Sequence, residues 1–168
     1  TFGRVFAAID PGEFGAAFLR WVGQVVPALS REEVVAIDGK TSRRSGKAGA
    51  TPLHLVSAFA AQAGVVLGQR ATAAKSNEKT AIPELLTTLA LEGCLVTIDA
   101  MGTQPNIAQA IRDRGADYVL AVKDNQPTLA GSIRDFVSAF DAAPERTPHR
   151  FHQVVEKDHG RLEVRRCH

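Results

Sequence analysis

The chain has 168 residues, 45% of them hydrophobic, with 20 Lys+Arg against 18 Asp+Glu for a net charge of +2. That length and apolar content suit one globular domain with a sizeable core, and exclude a disordered chain or an array of several domains. The longest stretch without Asp, Glu, Lys or Arg, Ala48 to Gln69, is broken by Pro52, His54 and Gly64 and is too polar for a bilayer-spanning helix.

In chain order, the first thirty residues predict one or two helices. Phe2, Phe6, Phe14 and Phe18 recur at helical intervals, interrupted by a turn at Pro11-Gly12, and Pro27 ends the Leu19–Val26 run. This region reads as a lead-in packed against the main domain. Val34-Val35-Ala36-Ile37 is a β-branched strand terminated by Asp38-Gly39. Leu53 to Phe59 alternates as a second strand, and Val65 to Thr72 is a third after the turn at Gly64. Short loops between these three strands predict an antiparallel meander. The period then changes. Thr80 is placed as N-cap, Pro83 in the first turn, Leu85, Leu86, Leu89 and Ala90 as the apolar stripe, and Gly93 as the stop. Cys94 to Ile98 is an apolar strand ending on Asp99. A helix marked by Ile107, Ala110 and Ile111 stops at Gly115, Tyr118 to Val122 is the fifth strand, and Leu129 to Phe140 a third helix. Pro144 to Pro148 is linker-like. The order β-β-β-α-β-α-β-α predicts an α/β fold with a mixed sheet, three antiparallel strands and then parallel crossovers.

Thr1 to Asp10 shows no signal peptide, and Cys94 and Cys167 form neither a multi-bridge framework nor a C-x-x-C zinc pattern. The expectation is an intracellular globular chain, without a membrane partner and with Cys94 buried and inert. A start on Thr and a stop at Cys167-His168 with no turn or cap are read as a fragment. Cations cluster between Gly39 and Lys79, where Lys40, Arg43, Arg44, Lys47, Arg70, Lys75 and Lys79 face Glu78 alone; Arg161, Arg165 and Arg166 come late in the chain. Such clusters suit a polyanion, although a solvated basic surface has the same composition. His54, His149, His152 and His159 lack metal-ligand spacing and read as structural or surface residues.

Two acids stand apart by position. Asp38 ends the first core strand and Asp99 the fourth, so if those strands are neighbours both carboxylates emerge at one edge of the sheet. Paired carboxylates suit Mg²⁺ or Mn²⁺, hard cations that take oxygen ligands. Two such ions about 3.5–4 Å apart clamp the attacking and leaving oxygens of an in-line phosphoryl displacement. Taken singly, Asp38-Gly39 is also a hairpin-turn dipeptide and Asp99 also a helix N-cap. The polar sequences beyond three strand ends, Asp38-Gly39-Lys40-Thr41, Asp99 to Gln104 and Lys123-Asp124-Asn125-Gln126, favour a site over coincident turns.

Several segments together resemble the bacterial insertion-sequence DDE transposases of the ISAs type, the branch that includes the H-repeat-associated proteins. They are Ala36-Ile37-Asp38-Gly39-Lys40-Thr41, Lys75-Ser76-Asn77-Glu78, Ala81 to Leu86, Val96 to Gly102, and Tyr118-Val119-Leu120 through Asn125-Gln126-Pro127. They cover nearly the whole chain in a consistent order. The resemblance implies an RNase H-like core over residues 31–168 after a helical lead-in over 1–30. It also implies cutting of double-stranded DNA at the element's ends with Mg²⁺ or Mn²⁺, and then 3′-hydroxyl attack on target DNA. Asp38 and Asp99 then match the first two acids of the triad and hold metal, while Lys40, Arg43, Lys75 and Lys123 are phosphate contacts. A homo-oligomer on paired ends in the cytoplasm, associated with the nucleoid, is likewise implied.

Two departures stand out. The family's Leu-Arg-Gly after Lys-Thr is Ser42-Arg43-Arg44 here. Its third acid belongs to a late helix in a Trp-x-Ile-Glu-Asn context, and the only tryptophan in this chain is Trp21. The core is therefore expected to stop before that helix and its third metal ligand, the alternative being Glu163, in His159-Gly160-Arg161-Leu162-Glu163, as a substitute acid. The alternatives are a DNA-binding remnant without chemistry, and a phosphatase-like hydrolase, which needs a second acid where Lys40 stands.

Overall fold

The computed structural model describes residues 2–25, 32–42, 45–46, 51–72, 78–158 and 160–167, which form two compact units, 1–125 and 126–168. The first holds helices α1 (Phe2–Ala8) and α2 (Pro11–Val25), then strands β1 (Val34–Thr41), β2 (His54–Ala60) and β3 (Val65–Thr72). Helix α3 (Glu78–Leu86), strand β4 (Leu95–Ile98), a 3-10 turn (Ala100–Gly102), helix α4 (Pro105–Arg112) and strand β5 (Asp117–Leu120) complete it. The sheet order is β3-β2-β1-β4-β5. Both β1–β2 and β2–β3 are antiparallel, whereas β1–β4 and β4–β5 are parallel. This is the α/β fold with a mixed sheet, three antiparallel strands and then parallel crossovers, that the element order anticipated.

One face of the sheet carries Val35, Ile37, Val56, Ala58, Val96 and Ile98, and all of them are buried. Helices α3 and α4 cover it through Ile82, Leu85, Leu86, Ile107 and Ile111. Side chains alternate across a strand, so Asp38, Ser57 and Thr97 point to the other face. At β3 the ladder shifts register between Ala58 and Phe59. The extra residue lets Leu67 and Gly68 both turn inward, and Leu19 and Leu85 pack where a Gly68 side chain would sit.

Several elements differ from the sequence-based expectation. Strand β1 does not end at Asp38-Gly39. It continues to Thr41, with Asp38 opposite Ser57 and Lys40 opposite Leu55, so Asp38-Gly39 is strand and not a hairpin turn. Helix α3 begins at Glu78, before Thr80, and Pro83 lies inside it. It ends at Leu86, because the hydroxyls of Thr87 and Thr88 donate to the carbonyls of Glu84 and Leu85 (2.7 and 2.8 Å) and divert the chain. Leu89, Ala90 and the expected stop at Gly93 therefore lie beyond the helix: Gly93 (φ 76°) sits in the turn that enters β4, whereas Gly115 (φ 69°) closes α4 as a turn after a helix requires. In the lead-in, Phe18 and Val22 pack against the core, whereas Phe2, Phe6 and Phe14 are exposed. The break falls at Ile9-Asp10 and not at Pro11-Gly12, which open α2, and the phenylalanines do not share one buried face.

The second unit holds α5 (Pro127–Ala142), a 3-10 turn (Pro144–Arg146), and a hairpin of β6 (His152–Asp158) and β7 (Arg161–Cys167). Among the described residues, no helix is long and apolar enough to cross a membrane.

Cys94 is buried at the entry to β4. Burial pushes its thiol above the ordinary value, with the Glu33 carboxylate adding to the rise. Cys167 is exposed. At pH 8 an aromatic disulfide reagent is expected to label Cys167 quickly and Cys94 only after denaturant unfolds the chain. In urea titration, Leu86→Ala, at a site with no solvent exposure, is expected to cost about 2–5 kcal/mol. Leu129→Ala, at a site 41% exposed, should stay within about 0.5 kcal/mol.

Candidate active site

The site is built on one pairing. Strands β1 and β4 run parallel with Ile37 opposite Ile98, so the next residue of each chain, Asp38 and Asp99, leaves the same edge on the same face. Both aspartates line one open hollow of about 300 Å³, together with Thr97, Val119 and Ala121. The condition set by the sequence, that the first and fourth strands be neighbours, is met.

Each carboxylate is held differently. The Lys40 ammonium lies 2.9 Å from Oδ2 of Asp38, and both side chains are largely exposed (84% and 56%). Such a pair is worth little in water and exchanges readily for another cation. Asp99 caps the 3-10 turn after it, its Oδ1 accepting the Met101 N–H at 3.0 Å. It is thus both a cap and a site residue, and the cap fixes its orientation while Oδ2 keeps its accepting capacity. Gly102 is required behind it, because a side chain there would overlap Ile98.

The loop after β5 is tied to the Asp99 loop. The Thr103 hydroxyl donates to the Ala121 carbonyl at 2.6 Å, and Asn125 Nδ2 donates to the Ala100 carbonyl at 2.9 Å. These bonds fix exposed Lys123, between Ala121 and Asn125, to the Asp99 side of the site. Lys40 is thus paired with Asp38 and Lys123 is an exposed residue of the tied loop, whereas Arg43 and Lys75 lie outside the described residues. Glu163 belongs to the β6–β7 hairpin, where it pairs with Arg165 (2.9 Å), which also binds Glu156 (3.1 Å). No cluster of three His, Cys, Asp or Glu suited to a metal occurs among the described residues. Among the described residues, the carboxylates that line the hollow are those of Asp38 and Asp99, oxygen donors that by chemistry fit a hard divalent cation.

Sequence reasoning passes over a buried polar group beside the site. His54 and Glu78 are 2% and 4% exposed, and His54 Nε2 donates to Glu78 Oε1 at 2.5 Å. With the proton on Nε2, Nδ1 accepts from the Thr41 hydroxyl at 2.8 Å. The available signal was Glu78 itself, the single acid in a basic stretch.

Residues 29–165 match the family described as Transposase DDE domain. The chain is 44% identical over 168 residues to "Uncharacterized protein in dhlA 3'region" of Xanthobacter autotrophicus, covering 99% of this chain and 56% of that protein. It is 51% identical over 131 residues to "Putative transposase YncI" of Escherichia coli K12, covering 77% and 52%. Similarity to "H repeat-associated putative transposase YbfD" of the same strain is 39% over 170 residues, covering 98% and 65%. The chain thus spans about half to two thirds of the length of these relatives. Among solved structures, a piggyBac transposase synaptic complex with hairpin DNA matches 57% of this chain and 24% of that chain, at 9% identity and a TM-score of 0.43. A simian T-cell lymphotropic virus intasome in complex with PP2A regulatory subunit B56 gamma matches 77% and 50%, at 14% identity and the same TM-score, 0.43. Neither is similar enough to bear on the site.

Replacing Thr103 by Val removes the bond to Ala121 and leaves that carbonyl short of a partner. A loss of about 1–2 kcal/mol in urea unfolding is the expected outcome.

Proposed function

The chain belongs to the DDE transposase family, and from that premise we propose that Asp38 and Asp99 are the first two acids of a metal-dependent site for cutting and joining DNA at insertion-sequence ends. The observation that carries the proposal is the register of β1 and β4, which delivers both carboxylates to one open hollow. The family match over residues 29–165 supports the reaction class.

Asp38 and Asp99 would hold Mg²⁺ or Mn²⁺ through carboxylate oxygens, with the Lys40 ammonium yielding its place on Asp38. The bound ion supplies Lewis-acid activation of the phosphate and of the attacking water or 3′-hydroxyl. The protein's own part is positional. The Met101 N–H orients Asp99, the Thr103 and Asn125 bonds hold the neighbouring loop, and the exposure of both acids admits a strand of DNA. Lys40 and Lys123, with Arg43 and Lys75, would contact phosphates, which position DNA without reading its sequence. Element ends and target DNA are the proposed substrates, and a homo-oligomer on paired ends in the nucleoid-containing cytoplasm is the proposed working form. Slow cutting is the proposed behaviour of this chain, and its limit is a DNA-binding remnant without chemistry.

Supercoiled plasmid in Mn²⁺ tests the reading, with the chain compared against Asp38→Asn and Asp99→Asn. Manganese tolerates imperfect coordination better than magnesium. The chain is expected to nick slowly, and each variant to lose about a hundredfold or more. Equal nicking by all three would place the activity elsewhere, whereas three inert proteins that still retard DNA would identify a binding remnant. Separately, Lys123→Ala is expected to weaken DNA binding uniformly across sequences. The slope of log affinity against log salt should fall by about 1.

A further inference from the structure

We infer that the buried Glu78–His54–Thr41 chain positions Asp38, a role that rests on reading Asp38 as a metal-holding acid. Strand β1 loses its β4 neighbour after Ile37, so residues 38–41 are held by β2 on one side alone. The segment that carries the acid is therefore the least supported part of the strand.

The polar chain supplies the missing support at two points. At one end the Thr41 hydroxyl bonds His54 Nδ1. At the other, the Glu78 carboxyl and the His54 ring pack directly on the backbone of Gly39, in the space a side chain would fill; His54 Nε2 is 2.8 Å from an ideal Cβ there. Asp38 adjoins this clamped stretch and faces the opposite side of the sheet. Its carboxylate is aimed by a backbone clamped from beneath, and a Cβ at position 39 would force the clamp off. Glu78 is also the first residue of α3, so the clamp ties the covering helix to the site strand.

A buried imidazole–carboxylate pair contributes little to stability alone, since well-packed apolar residues serve a core as well or better. Its distinctive property is direction. Two short hydrogen bonds fix one separation between α3, β2 and the end of β1, where apolar contacts would allow sliding. Glu78 and His54 are positioning residues here: neither faces the hollow.

Amide hydrogen exchange and Mn²⁺ affinity, measured on the same full chain, separate this role from plain core packing. Glu78→Ala is expected to speed exchange at Asp38 to Thr41 by about tenfold while residues 95–98 keep their protection. Mn²⁺ binding should weaken by a similar factor. Glu78→Gln, which still accepts from His54 Nε2, is expected to restore both. Thr41→Val, which removes only the far bond and is the milder change should Glu78→Ala unfold, is expected to loosen residues 38–41 alone. Unchanged exchange at 38–41 in Glu78→Ala or Thr41→Val, or an equal loosening of the whole sheet, would overturn the inference. If Asp38→Asn leaves Mn²⁺ affinity unaltered, the metal reading fails instead, and the exchange data still decide whether the clamp exists.

Discussion

Parallel pairing of β1 with β4 is the constraint on which the candidate site depends. Two parallel neighbours cannot be joined by a tight turn, so the chain must travel through β2, β3 and α3 before it returns in the same direction. That detour makes both strands finish at one edge. The pairing of Ile37 with Ile98 then decides that the next two residues, both aspartates, share a face. A slip of one residue would turn every side chain of β4 over, carrying Asp99 into the layer now filled by Ile98. The apolar residues that face α3 and α4 thus hold the register that the acids require.

The two faces of the sheet divide the work. One is sealed by α3 and α4, where Leu85, Leu86, Ile107 and Ile111 are almost wholly excluded from water. The other carries Asp38, Ser57, Thr97 and Val119, and within residues 1–125 it stays accessible enough for the hollow to form. A cation site open to a bulky polyanion needs such an arrangement: rigid on one side, solvated on the other. The polar bonds at the edge serve the same end. The Asp99 cap, the Thr103 and Asn125 ties and the Glu78–His54 clamp all join backbone at or beyond the edge of the parallel ladder.

Most of the core was legible in the sequence because burial writes itself as apolar runs. Val34 to Ile37 and Cys94 to Ile98 announced two central strands, and the aspartate after each announced the edge. Gly115 marked a helix stop correctly. Legibility failed where polar residues have structural roles. Asp38-Gly39-Lys40-Thr41 has the composition of a turn, yet it is strand, because β2 pairs along it and Gly39 admits the clamp. Glu78 stood out only as the single acid of a basic stretch, ahead of a helix placed to begin at Thr80, and tertiary contact alone reveals it as buried. The β6–β7 hairpin left no periodic signal because nearly all its described side chains are exposed on both faces. Family resemblance supplied the class of reaction, which the residues alone narrowed only to a pair of acids suited to a hard cation.

The most direct measurement is Mn²⁺-induced broadening of backbone amide signals in the isotope-labelled chain, since the metal ion erases resonances near its binding site. The account predicts that signals flanking Asp38 and Asp99, on β1 and on the turn after β4, vanish first and together, and that Asp38→Asn protects both sets. Broadening confined to the β6–β7 hairpin around Glu163, or spread evenly over the acidic surface, would contradict it.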